Sequence, residues 1–236
     1  MENPTTPKKG NAEALDIDNE TIAQTGESAT PKVANLNVTK ALVANTVPYP
    51  EAKFTLVISD KPNLTKRYDL VDGKAEKTAA GRLSTGTVRT VTKPLDELID
   101  DIYQKTTPHH ALIHGLCGQD EIRIVTKTNE TKGTISRSRE HFSYGENALL
   151  MFDHDPSERG TDFTFENCVD FLETLAEGCS GIADAAFVIK PSSSAGIMLN
   201  GNLVNKQGGF HAYTVALDGS DIPRFTDVLL KRLIIK

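Results

Sequence analysis

The stretch that most constrains the fold is an apolar run at residues 148–152, which ends in Asp153 and Asp155. A short apolar run of this kind predicts a buried β-strand. Because successive side chains of a strand point to opposite faces, the two carboxylates should share one face and His154 should lie on the other. Carboxylates ~7 Å apart along a strand can hold Mg²⁺ or Mn²⁺, ions that bridge phosphate oxygens in nucleotidyl and phosphoryl transfer. Two solvated acids at the end of a strand are the alternative.

The segments after this run follow the order strand, helix, strands, helix. An amphipathic pattern predicts a helix over residues 164–178, with Gly178 as its C-terminal cap. Strands are predicted over 185–190, 196–200 and 208–217, with a polar loop between the last two, and a second helix over 220–234. This order predicts an α+β fold that is RNA-recognition-motif-like, not doubly wound.

The chain before residue 148 predicts an additional N-terminal α/β unit. Strands are expected over 54–59, 67–71 and 87–92, and a helix over 94–105 with Pro94 in its first turn. Residues 111–116 and 121–127 are expected to form a hairpin. Residues 1–45 lack aromatic residues and a clear apolar period, which predicts a disordered tail before a domain at 46–236.

The charge of the chain bears on its partners. The formal net charge of −6 argues against a uniformly basic nucleic-acid coat, but it leaves room for a local basic groove. Residues 122–141 contain five Lys or Arg residues against two Glu residues. Arg137 and Arg139 of this segment share one face if the chain is extended, and they can then contact phosphates of a template or nucleotide. A solvated hairpin edge is the alternative.

The cysteines and the hydropathy pattern indicate a compartment. Three cysteines without a CxxC spacing predict reduced thiols in a cytoplasmic protein rather than a disulfide frame or a zinc site. The sequence contains no apolar run approaching the ~20 residues that a membrane helix needs. No membrane partner is therefore expected.

Two further motifs carry polar groups that suit a phosphate ligand. The hydroxyls of Ser192, Ser193 and Ser194 follow a predicted strand and can bind phosphate oxygens, although an ordinary serine-rich turn explains them equally. His211 lies in a strand pattern after two glycines, which allow a ligand to approach closely. By itself such a histidine is more often structural.

The order of these motifs resembles the archaeo-eukaryotic primase superfamily, in particular the primase-polymerase domains of phages, plasmids and related mobile elements. The resemblance is carried by an apolar strand ending in Asp-x-Asp, the Ser-Ser-Ser-Ala-Gly turn at 192–196, and the Gly-Phe-His of a later strand. It extends to the segments 64–74, 135–144 and 218–233, and covers roughly residues 55–233.

The resemblance implies a role for each matching residue. Asp153 and Asp155 would hold the catalytic Mg²⁺ or Mn²⁺ ions, and His211 would contact the phosphates of an incoming nucleoside triphosphate. The family usually has a small hydroxyl residue two places before this histidine, where this chain has Gly209, so the hydroxyl is expected from Ser192–Ser194. The implied partners are a DNA template, nucleoside triphosphates and a replicative helicase.

The third acid of the family has no clear match. Asp218 and Asp221, which follow His211, have the context of turn and cap residues. Because the family's third acid lies on a strand after the histidine strand, we expect the catalytic domain to continue beyond Lys236. Residues 1–236 alone are then expected to bind metal and nucleotide with little or no primer synthesis.

Three other functions compete with a DNA primase-polymerase. A DxD nucleotide-sugar transferase explains the acids but not the histidine strand. A haloacid-dehalogenase-type phosphatase requires Thr or Val where this chain has Ser157. A non-catalytic module for single-stranded nucleic acid normally uses stacked aromatic side chains, whereas aromatic residues make up 6% of this chain.

Overall fold

The computed structural model describes most of the chain after residue 48. The described residues are 41–42, 49–64, 66–72, 74–79, 81–98, 109–155, 165–192, 195, 197–199, 202–205 and 209–234. They form a mixed α+β fold dominated by one large mixed sheet, so the α+β prediction is confirmed. The segment predicted as a tail, residues 1–45, lies outside the described residues except for Ala41 and Leu42.

Strands supply most of the described structure. In chain order they are β1 (Ala41–Leu42), β2 (Glu51–Ser59), β3 (Arg67–Val71), β4 (Lys74–Ala79), β5 (Thr85–Pro94), β6 (His110–Ile113), β7 (Glu121–Val125), β8 (Thr134–Ser136), β9 (Glu146–His154), β10 (Phe187–Pro191), β11 (Ile197–Leu199), β12 (Asn202–Asn205) and β13 (Phe210–Asp218). The helices are α1 (Phe165–Gly178) and α2 (Ile222–Ile234). Neither these two nor any other helix in the described ranges is long and apolar enough to cross a membrane.

The main sheet has the strand order β1-β10-β13-β9-β2-β5-β7-β8, and β6 is an additional strand beside β2. β9 runs parallel to β2 and pairs with it at Lys53 and Ala148. Further along β2, residues 55–58 pair with β6 instead. The strands β9 and β2 therefore separate beyond their one pair, and the sheet divides into two parts around β6.

The helices α1 and α2 pack on one face of the β10-β13-β9 part of the sheet. Their apolar stripes meet the inward side chains of these strands in one buried cluster: Cys168, Leu175, Ile182, Phe187, Ile189, Phe210, Ala212 and Leu229. Burial of this apolar area is the main contribution to holding the helices in place. The opposite face of the same strands is left for other contacts.

Gly178 has a different role from the predicted helix cap. A left-handed cap needs a positive φ, but among the described glycines positive φ occurs at Gly118 and Gly133. A Cβ on Gly178 would lie 2.7 Å from Cδ1 of Leu229. The glycine therefore allows α2 to approach the end of α1 closely.

Three predicted elements differ in the structure. The hairpin of residues 111–116 and 121–127 is wrong, because β6 pairs with β2 while β7 lies between β5 and β8. Leu116 instead forms a bridge with Ser143, which turns the chain away from β6. The loop between β11 and β13 contains β12, which pairs with β11. Pro94 ends β5, and helical geometry begins at Glu97; residues 99–105 of that predicted helix lie outside the described residues.

Candidate active site

Asp153 and His211 come together although they belong to different motifs. β13 runs antiparallel to β9 in a register that sets His211 directly opposite Asp153. His211 Nε2 lies 3.2 Å from Asp153 Oδ1, with the two side chains 25% and 49% exposed. Asp155 follows the end of β9 and is exposed. Its charge is close enough to raise the pKa of His211, although burial has the larger and opposite effect.

His154 points to the other face of the sheet, as strand alternation predicts. Its ring stacks on Phe210 with centroids 4.7 Å apart and an interplanar angle of 10°. The edge of Phe171, on α1, meets the same ring at 5.2 Å. These aromatic contacts fix the end of β9 against the helical layer, and they leave Asp153 on the open face.

Gly209 sets the distance between β13 and the end of β9. A Cβ at this position would lie 2.0 Å from the carbonyl oxygen of His154. Gly209 is therefore required by a protein neighbour, the backbone of His154, independently of any ligand. The same contact explains why the hydroxyl residue expected two places before His211 is absent.

Ser192 lies beside this glycine. Its backbone amide donates a hydrogen bond of 2.8 Å to the carbonyl of Gly209, and the residue is buried. Ser192 is thus adjacent to the position that carries a hydroxyl in the resembling family. Ser193 and Ser194 lie outside the described residues.

Lys190 completes a row of three titratable side chains on adjacent strands. It pairs with His211 in the register of β10 and β13, so that Lys190, His211 and Asp153 are neighbours. Burial lowers the pKa of the Lys190 ammonium. Burial is also the main cause of the lowered pKa of His211, partly opposed by the Asp153 carboxylate. Because these cationic forms are poorly solvated, a bound anion would stabilise them.

Two further rings, those of Tyr213 and His114, lie in succession next to His211 within the site. The hydroxyl oxygen of Tyr213 is 3.3 Å from His211 Nδ1, and burial raises the pKa of this tyrosine. The ring of His114 stacks with Tyr213 at a centroid distance of 6.3 Å. Burial lowers the pKa of His114, so a neutral imidazole packs against the tyrosine.

A cleft of about 720 Å³ opens where β9 and β2 separate. One wall comes from β2, β5 and β6, and the other from β9, β13 and β10. Its lining side chains that carry or can carry positive charge are Arg89, Lys93, His110, His114, Lys190 and His211. No aspartate or glutamate is among the described residues that line it. The cleft is therefore a local cationic surface in a chain of net negative charge.

Sequence reasoning missed most of these basic residues, although a signal was present. Arg89, Val91 and Lys93 alternate along β5 and so share a face. Lys190 is a charged residue within the otherwise apolar strand β10. Only the strand order brings the two sets to one cleft, because β5 and β10 belong to different parts of the sheet.

Arg137 and Arg139 are not brought to this cleft. They are exposed and lie in a bend and a turn after β8 rather than on an extended segment, so the condition for a shared face is not met. β8 is separated from β9 by β2, β5 and β7, on the order of 20 Å at the usual strand spacing. The structure therefore does not group these arginines with Asp153.

Asp218 and Asp221 are turn and cap residues, as predicted. Asp218 lies opposite Glu146, at the other end of β13 from His211. Its carboxylate accepts a hydrogen bond from the backbone amide of Ser220. Asp221 pairs with Arg224. Neither acid is positioned to act with Asp153.

Asp153 and Asp155 are both exposed carboxylates, the ligand type that Mg²⁺ takes in proteins. Within the described ranges no three His, Cys, Asp or Glu side chains are grouped as a metal site. Mg²⁺ is commonly held by one or two carboxylates together with substrate phosphates and water.

Similarity to known proteins gives no further guidance. The chain matches no protein-family model, no curated protein and no solved structure. The functional argument therefore depends on the geometry and chemistry of the residues described above.

Proposed function

We propose that this chain is a template-dependent nucleotidyltransferase, a DNA primase-polymerase that serves the replication of a mobile element. The observation that carries the proposal is the pairing of Asp153 with His211 at the edge of a cationic cleft. The strand with Asp153, the buried Ser192 and the strand with His211 are neighbours in space as well as in order. This supports their use as one site.

Nucleoside triphosphates are the substrate class that suits these groups. Lys190 and His211 offer donors for phosphate oxygens. A divalent ion on Asp153 and Asp155 would supply charge stabilisation at the reacting phosphate. The 3′-hydroxyl of a primer would attack the α-phosphate, and pyrophosphate would leave.

A single-stranded DNA template suits the opposite wall of the cleft. Arg89 and Lys93 share one face of β5 and line this wall. Contacts between basic side chains and phosphates supply most of the affinity that does not depend on base sequence. The proposed partners are therefore DNA and nucleotides, with a helicase as the partner that the resemblance implies.

The topology around the site supports an RNA-recognition-motif-like catalytic subdomain. The chain runs β9-α1-β10-β13-α2, apart from the small β11-β12 hairpin. The strands β10, β13 and β9 are adjacent, and both helices contribute to the same buried cluster. This β-α-β-β-α succession is the order expected for these elements in a ferredoxin-like subdomain. The strands β2 and β5–β8 then represent the additional N-terminal unit.

A non-catalytic module for single-stranded DNA is the second candidate. It is favoured by the absence of acidic residues among the described residues that line the cleft. It does not explain why the exposed Asp153 faces His211 at 3.2 Å. A nucleotide-sugar transferase likewise leaves the histidine strand without a role.

Primer extension distinguishes these functions. We expect the complete catalytic domain to extend a labelled primer on a single-stranded template in the presence of Mg²⁺ or Mn²⁺, and EDTA to stop the reaction. DNA binding that survives EDTA, without any incorporation of deoxyribonucleotides or ribonucleotides, would support the binding module and contradict the proposal.

Replacement of His211 by alanine should weaken the binding of nucleoside triphosphate by about 1.5–3 kcal/mol, the usual contribution of a hydrogen bond to a charged group. Isothermal titration calorimetry with wild type and variant measures the difference. His141→Ala is a matched control, because His141 is also partly buried beside a carboxylate, that of Glu130. Equal dissociation constants for wild type and His211→Ala would leave His211 with a structural role only.

Replacement of Arg89 by glutamine should weaken the binding of single-stranded DNA. Loss of one phosphate contact should also reduce the slope of log K against log salt concentration by about 0.7. Fluorescence anisotropy at several salt concentrations measures both quantities. Lys53→Gln is the control, because Lys53 alternates with the cleft residue Phe54 and so points to the other face of β2. An equal loss in both variants would argue against binding in the cleft.

A further inference from the structure

The two ring nitrogens of His211 face groups of different character. Nε2 lies 3.2 Å from a carboxylate oxygen of Asp153. Nδ1 lies 3.3 Å from the hydroxyl oxygen of Tyr213. Both neighbours follow from the register and the alternation of two strands, since Asp153 lies opposite His211 and Tyr213 lies two residues further along β13.

This arrangement selects one tautomer of the neutral ring. A carboxylate can only accept a hydrogen bond, so a lone pair on Nε2 would face a negatively charged oxygen. The proton of a neutral imidazole therefore belongs on Nε2, and Nδ1 carries the lone pair. The Tyr213 hydroxyl can then donate to Nδ1, since a tyrosine is protonated well above neutral pH.

We propose that Tyr213 is a positioning residue, whose hydroxyl donates to His211 Nδ1 and thereby holds the Nε2–H group of His211 toward the site. The effect of this Tyr213–His211 contact on nucleotide binding rests on the proposed function, in which Nε2–H donates to a phosphate oxygen of the nucleotide.

The surroundings of Tyr213 hold its side chain, and therefore its hydroxyl group, in one position. The residue is 6% exposed, and its ring is stacked with that of His114. A buried hydroxyl normally has a hydrogen-bond partner, and Nδ1 of His211 is within reach. Replacement by phenylalanine removes the hydroxyl but keeps the ring, so the stacking with His114 should persist.

Nitrogen-15 NMR of the histidine rings tests the contact directly. The full chain is measured at pH 8 with EDTA, where an ordinary histidine is neutral. Wild type should show His211 with its proton on Nε2 and with Nδ1 at the chemical shift of a lone pair that accepts a hydrogen bond. In Tyr213→Phe, the Nδ1 resonance should move to that of a free lone pair. Tyr144→Phe, which removes an exposed hydroxyl elsewhere, should leave it unchanged.

A double-mutant cycle tests the consequence for binding. Tyr213→Phe should weaken the binding of ATP with Mg²⁺ by about threefold to tenfold, the usual range for one neutral hydrogen bond. In the His211→Ala background the same change should have no further effect.

The two measurements separate the inference from the proposed function. A proton on Nδ1 in wild type, or an Nδ1 resonance that Tyr213→Phe does not move, would overturn the inference. An equal loss of affinity in both backgrounds of the cycle would also overturn it. If wild type binds no nucleotide, the proposed function fails, and the NMR result alone decides whether Tyr213 positions His211.

Discussion

Asp153→Asn and Asp155→Asn are each expected to reduce metal-dependent nucleotide incorporation at least about 100-fold. A loss of this size is usual when one group that stabilises charge in the transition state is removed. Asparagine keeps the shape of the side chain but removes the negative charge that a divalent cation needs. Asp153 is 49% exposed, and Asp155 is exposed after the strand has ended. Neither substitution should therefore change the melting temperature much.

Primer extension with equal amounts of folded protein measures this effect. Asp184→Asn is the control, because Asp184 is an exposed acid in a turn outside the site and its replacement changes the charge equally. Incorporation by both site variants at close to the wild-type rate would show that the two aspartates do not hold the catalytic ion.

Gly209→Ala should lower the free energy of unfolding by about 1–3 kcal/mol, the usual cost of forcing extra volume into a packed site. The added methyl group would lie 2.0 Å from the carbonyl oxygen of His154. Backbone must move to relieve this contact, and the movement would separate β13 from the end of β9. We therefore also expect weaker nucleotide binding, because His211 would no longer lie opposite Asp153.

Urea denaturation followed by circular dichroism measures the stability change. Gly181→Ala is the matched control, since a Cβ at Gly181 meets no atom within 4 Å. A Gly209→Ala variant that is as stable as Gly181→Ala would show that the fold does not need the close approach of β13 to β9.

Local patterns predicted the elements that carry the site. Alternation along β9 separated Asp153 from His154 correctly, because a period of two follows from the pleat of any strand. The amphipathic stripes of α1 and α2 were equally clear, and Leu175 and Leu229 are buried in one cluster. Both signals are properties of a short segment by itself.

Features that depend on distant segments were not predicted. β6 has four residues, and its position beside β2 is set by the divergence of β9. The contact that requires Gly209 is with His154, and the contact that requires Gly178 is with Leu229. A glycine in a sequence does not reveal which atom lies across from it.

The cationic cleft shows the same limit. Arg89 lies on β5 and Lys190 lies on β10, in different parts of the sheet. Arg137 and Arg139 belong to a denser basic segment, yet they lie at the far edge of the sheet. Local charge density was therefore a poor guide, because the strand order decides which basic residues line one cleft.

Binding of Mn²⁺ measured by electron paramagnetic resonance, with and without a nucleoside triphosphate, tests the site most directly. In the proposed site Asp153 and Asp155 supply only part of the ligand set, so Mn²⁺ should bind weakly alone and at least about tenfold more tightly with nucleotide, whose phosphates would complete the coordination. Asp153→Asn should abolish this nucleotide-dependent binding. Mn²⁺ affinity that is the same with and without nucleotide, or that survives Asp153→Asn, would contradict a nucleotidyl-transfer site at Asp153 and His211.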